Sequence, residues 1–91
     1  MVISRSAVAG THESSDILIM VSPDSTGVRI DLQSSVDLYY HDTIVEVMTN
    51  VLQEMKIESV KVEAVDHGAL DCTIRARLTT AIKRAVQEEQ S

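Results

Sequence analysis

Two hydrophobic periods alternate along this 91-residue chain, and their order limits what it can fold into. Ile17-Leu-Ile-Met-Val21 is a short apolar run rich in β-branched residues, bounded by Ser22-Pro-Asp24 and Gly27. That is the composition and punctuation of a strand. Val28, Ile30 and Leu32 alternate with Arg29, Asp31 and Gln33, the period of a half-buried strand. The spacing then changes: Ile44, Val47, Met48, Val51, Leu52 and Met55 recur at threes and fours, which is one face of an α-helix. Ser34 followed by Asp37 is a capping-box signal that puts the start of this helix near Val36. Val60, Val62 and Ala64 return to a period of two, and Asp66-His-Gly68 reads as a turn. Leu70, Ile74, Leu78, Ile82 and Ala85 predict a second helix, with Asp71 in its first turn and Lys83 and Arg84 in its last, a placement that suits the helix dipole. Ahead of all this, Ala7 to Thr11 is a weaker strand, with Gly10 a bulge or a point of close backbone approach.

The sum is β-β-β-α-β-α, an α+β domain with a small mixed or antiparallel sheet and two helices packed on one face. The other face is left for solvent or a partner. The second and third strands are expected to form an antiparallel hairpin across Ser22 to Gly27. Strand order is not otherwise legible. Residues 1–91 make one domain, with 87–91 expected as a frayed tail, and a chain of this size has room for one core and no deep pocket.

Composition narrows the function. Aromatic content is 2%, two tyrosines with no Trp or Phe, so the usual platforms for stacking bases or sugars are missing. A net charge of −6 disfavours phosphate contacts and favours docking to basic surfaces. No stretch approaches the roughly 18 apolar residues of a membrane span, and the N-terminus shows no apolar signal segment. A cytoplasmic protein without membrane or nucleic-acid partners is the expectation. Cys72 stands alone, which rules out an internal disulfide.

The polar segment Ala7-Val-Ala-Gly-Thr-His-Glu-Ser-Ser-Asp16 precedes the first strong strand, and it places Glu13, Ser14 and Ser15 in the loop between strands one and two. A hydroxyl there can carry a covalent group without disturbing a core. Ser14 or Ser15 with His67 and Asp66 would make a hydrolase triad, but the chain has no nucleophile elbow. His12, Glu13 and Asp16, with His41 or Cys72, match no closed zinc spacing. Cys72 reads as a small packing residue at the start of the second helix. Glu13, Asp16, Asp31, Asp37, Asp42 and Glu46 read as solvated surface.

Three segments together resemble a known family: Ala7 to Asp16, Asp31-Leu-Gln-Ser-Ser-Val36, and Asp66-His-Gly-Ala-Leu-Asp-Cys-Thr-Ile-Arg-Ala-Arg77 look like the acyl carrier protein of citrate lyase, its gamma subunit. The resemblance runs in register over nearly the whole chain. It implies that Ser14, the serine after Ala-Gly-Thr-x-Glu, bears a phosphodiester-linked 2′-(5″-triphosphoribosyl)-3′-dephospho-coenzyme A whose thiol holds the acetyl group. Ser15 is the neighbouring candidate, at a position where the family often has Gly or Asn. His12 departs from the family pattern, which has Leu or Ser there.

The same resemblance implies a carrier with no catalysis of its own, since the group carried does the chemistry and a tether keeps it at high effective concentration near its enzymes. An alpha subunit would exchange acetyl for citrate and a beta subunit would cleave the citryl group to oxaloacetate. A prosthetic-group transferase and an acetate-activating ligase are the other implied partners. The carrier of a malonate decarboxylase and a cofactor-free interaction module are the competing readings.

Overall fold

The computed structural model describes residues 2–34 and 40–86. Six elements follow the expected order: β1 (Ala7–Gly10), β2 (Ile17–Ser22), β3 (Val28–Ser34), α1 (His41–Glu54), β4 (Val60–Asp66) and α2 (Asp71–Ala85). The expected helix start at Val36, its Asp37 capping partner and the expected tail at 87–91 lie outside the described residues.

The four strands lie in the order β1-β2-β4-β3. The expected hairpin of β2 with β3 is therefore not formed, because β4 is inserted between them, antiparallel to β2 and parallel to β3. Burial explains the order. Val60, Val62 and Ala64 of β4 are buried on one face, and Lys61, Glu63 and Val65 are half-buried on the other, as a central strand requires. The charge-interrupted β3 leaves Val28 45% exposed, which suits an edge, where alternating charge discourages further pairing. The parallel β3–β4 pair needs a long crossover, and α1 supplies it. The true hairpin is β1 with β2, from Ala7↔Val21 to Gly10↔Leu18. The Ser22–Gly27 connection instead wraps the start of β4, with Ser59 Oγ donating to the Asp24 carbonyl and Val60 N to that of Gly27.

Both helices cover one face. α1 buries Ile44, Val47, Met48, Val51 and Leu52, and α2 buries Ile74, Leu78, Ala81, Ile82 and Ala85, against Ile17, Ile19, Val21, Val60 and Val62 from the sheet. Each of the larger side chains contributes about 1.5–3 kcal/mol by leaving water. Leu70 corrects the expected stripe: it caps α2 and is 68% exposed, while Ala81 takes a core position. The open face carries Val8, Leu18, Met20 and Val65 beside the charged Lys61 and Glu63. Among the described residues, no helix is long and apolar enough to cross a membrane.

The topology gathers one end of the sheet for use. The β1–β2 turn, the end of β4 and the first turn of α2 meet there, because Ile17 pairs with Asp66 and Ser34 in turn pairs with Asp66.

Candidate functional site

Gly10 ends β1 with φ +99, and a Cβ on it would fall 1.8 Å from the Ile17 carbonyl oxygen. This is the close backbone approach that its place in the strand predicted, and it lets the chain double back into β2. Thr11 then organises the turn: its Oγ1 accepts from Glu13 N at 3.1 Å and donates to Asp16 Oδ2 at 2.6 Å. Asp16 N donates to the Glu13 carbonyl at 3.2 Å, closing a four-residue turn with Ser14 and Ser15 at its two central positions. Ser15 has φ +65, the left-handed region that glycine and asparagine tolerate best. The Ser15 N–H is donated to the His67 carbonyl at 2.8 Å, and His67 N donates back to the Asp16 carbonyl at 2.9 Å, so the turn is strapped to the end of β4. Ser14 stays exposed on the corner.

Asp16 anchors this turn, and here the surface reading fails. Asp16 is 8% exposed. Arg77 Nε and one terminal nitrogen reach its two carboxylate oxygens, each at 3.0 Å, and Ile17 N donates to Oδ1 at 2.7 Å. A two-point guanidinium–carboxylate fork of this kind fixes direction as well as distance. Hydrogen bonds from Arg77, Thr11 and the Ile17 N–H, in that order, hold the Asp16 carboxyl well below the usual carboxylate range, and burial opposes them only in part. The same hydrogen bond raises Arg77. No sequence spacing links residues 61 positions apart. The available signal was Asp16 directly ahead of a fully apolar strand, where a solvated acid is out of place.

Asp66, expected in a turn and weighed as the acid of a hydrolase triad, is 1% exposed. It accepts from Gly68 N at 3.2 Å, Ala69 N at 3.0 Å and Ser34 Oγ at 3.1 Å, so its carboxylate shapes the lead into α2. His67 Nε2 lies 3.0 Å from Nδ1 of His12. The hydrolase triad is thus not assembled: Ser15 meets His67 through backbone atoms, the His67 ring faces His12, and the Asp66 carboxylate bonds backbone N–H groups and Ser34. Cys72 is exposed, so the packing role expected for it is corrected; it lies off the buried face of α2 that Ile74, Leu78 and Ile82 define. Among the described residues no group of three or more His, Cys, Asp and Glu is placed to hold a metal ion. A hollow of about 190 Å³ between Tyr40, Thr43, Ile44 and the 66–71 segment is smaller than the roughly 300 Å³ at which small-molecule sites begin.

The described residues thus form a small domain whose strapped β1–β2 turn presents an exposed hydroxyl at Ser14. Residues 4–85 match the family described as malonate decarboxylase delta subunit (MdcD), an acyl carrier family. The citrate lyase acyl carrier protein of Oenococcus oeni is 48% identical over 98% of this chain and 92% of its own length. That of Lactiplantibacillus plantarum is 51% identical over 96% of this chain and 91% of its own. In a crystal structure of a Pseudomonas malonate decarboxylase hetero-tetramer, one chain superposes with a TM-score of 0.81 over 92% of this chain and 87% of that one, at 19% identity; the fold is shared. The chain belongs to the citrate lyase acyl carrier protein family, and its role is that of an acyl carrier.

Proposed function

We propose that Ser14 Oγ is the attachment point of a phosphodiester-linked 2′-(5″-triphosphoribosyl)-3′-dephospho-coenzyme A, and that the chain shuttles acetyl and citryl thioesters on it within a cytoplasmic citrate lyase. The observation that carries this reading is the turn itself. Ser14 occupies its exposed corner, while Thr11, Ser15 and Asp16 on either side are held by hydrogen bonds. A transferase therefore meets a hydroxyl at a fixed position, and the group hangs from a support that does not yield. Ser15, in contrast, has a constrained left-handed backbone and an N–H committed to the neighbouring strand.

The bound group supplies the thiol that forms the thioester. This chain contributes the tether's anchor and a surface for partners: an alpha subunit exchanging acetyl for citrate, a beta subunit cleaving the citryl thioester, the prosthetic-group transferase, and the ligase that reacetylates the thiol. Reconstitution tests this. Purified chain loaded by transferase and precursor should restore citrate cleavage to carrier-depleted alpha and beta subunits, and Ser14→Ala should restore none; full activity from the alanine variant would contradict the assignment.

The malonate decarboxylase carrier is the second reading, favoured by the family description and by the shared fold. Identities of 42–51% to proteins named citrate lyase acyl carrier protein weigh for citrate. Loaded chain that supports malonate decarboxylation by the corresponding subunits, but not citrate cleavage, would reverse the choice.

A further inference from the structure

We infer that Arg77 is a positioning residue that makes the prosthetic-group transferase choose Ser14 over Ser15, an inference that rests on the attachment proposed above. In that transfer the chosen Oγ gives up its proton and bonds the ribose-proximal phosphorus of a triphosphate precursor, and pyrophosphate leaves with the electrons of the broken P–O bond. Two adjacent hydroxyls compete for this step. Both serines are exposed, so access does not decide between them. Direction does: the two central residues of a turn project their side chains differently, and the difference lasts only while the turn keeps one conformation. A misplacement of about 1 Å can cost about 100-fold in rate.

One carboxylate holds both flanks of the serine pair. Thr11 Oγ1 donates to Asp16 Oδ2 and accepts from Glu13 N, so the residue before Ser14 is tied to Asp16 through Thr11. Asp16 itself follows Ser15, and its N–H closes the turn on the Glu13 carbonyl. Thr11 and the Ile17 N–H belong to the same hairpin as the turn and move with it. Arg77 comes from outside the hairpin: its two 3.0 Å hydrogen bonds reach Asp16 from α2, whose Ile74, Leu78 and Ile82 are buried in the core. The fork thus fastens the turn to α2, as the paired backbone hydrogen bonds of His67 with Ser15 and Asp16 fasten it to β4. Between these two ties Ser15 is kept at φ +65, a conformation that a residue with a Cβ keeps only where its surroundings over-determine it. Without the fork, Ser15 relaxes toward negative φ and the directions of both hydroxyls change.

Loading kinetics, thermal melts and fragmentation of the tryptic 6–29 peptide, all on the same samples, test this. Wild type should carry the mass on Ser14 alone. Arg77→Met, assayed well below its melting temperature, should load with a kcat about 10–100-fold lower and a KM within about twofold of wild type, with part of the mass on Ser15. Arg77→Lys keeps the charge without the planar fork and should also place mass on Ser15. Ser15→Gly in the Arg77→Met background should restore loading at Ser14, because glycine takes the φ of +65 without strain. Ile82→Val, a change in the buried core under α2, controls for stability alone and should load as wild type does. Exclusive Ser14 loading at the wild-type rate in Arg77→Met would overturn the inference. So would a slow rate that Ser15→Gly leaves unchanged, which makes Arg77 a direct transferase contact, or an equal slowing in Ile82→Val. Intact mass of the wild type separates the two levels: a loaded wild type beside unaltered variants refutes the role of Arg77 alone, and a wild type that takes up no group refutes the attachment reading.

Discussion

Arg77 on α2 grips Asp16 at the foot of the β1–β2 turn through two 3.0 Å hydrogen bonds, and so ties the loop bearing Ser14 to the helix that covers the sheet. The Asp16 carboxyl is depressed in the fold, while in the unfolded chain it titrates near 3.9. The stability this adds is fully present above that unfolded value and fades as pH falls toward the folded one. Arg77→Met should lower the melting temperature at pH 7, and the gap from wild type should narrow as pH drops below about 4. Thermal melts across pH 2.5–7 check this; a gap that widens in acid would contradict it.

Gly10→Ala should be severe. The added Cβ meets backbone at Ile17 rather than a movable side chain, and the φ of +99 is strained for any L residue. A loss of at least about 2 kcal/mol is expected in urea denaturation. Gly27→Ala, with positive φ but open space around it, isolates the conformational part and should cost about 1–2 kcal/mol.

Much of the fold was legible because periodicity is a local property. The helix faces of Ile44–Leu52 and Ile74–Ile82, the β4 alternation and the placement of Ser14 in a loop came from neighbours in sequence. Strand order did not: whether β2 meets β3 or β4 depends on which strand takes the central position, and that is settled by packing at long sequence separation. The same limit hid the site's framework. Asp16 and Arg77, or His12 and His67, are joined only once β4 and α2 are in place. The short polar turn residues by themselves gave no sign of which backbone was strained; only the Gly or Asn that the resembling family often has at Ser15 pointed to the φ of +65 there.

Ser15→Gly should be neutral or stabilising by up to about 1 kcal/mol, since glycine adopts the φ of +65 found there without a Cβ penalty. Ser15→Val should destabilise by about 1–2 kcal/mol, a β-branched residue being least suited to that region. Loading at Ser14 should survive the glycine change. Chemical denaturation and intact mass read the two effects separately.

Cys72 is exposed at the start of α2, so Cys72→Ser should shift stability by no more than about 0.5 kcal/mol, and the native thiol should react with a maleimide without unfolding. Leu78→Ala in the centre of α2, where the side chain is fully buried, should instead cost about 2–5 kcal/mol. Equal losses from the two substitutions would contradict the surface placement of Cys72.

The central claim is that one particular hydroxyl carries the group. Trypsin cleaves after Arg5 and Arg29, which releases the whole turn in one peptide, Ser6 to Arg29, containing Ser6, Ser14, Ser15, Ser22 and Ser25. Fragmentation of that peptide from chain loaded by its transferase should place the added mass on Ser14, with the other four serines unmodified. The mass on Ser15, or on any serine outside the turn, would contradict the account.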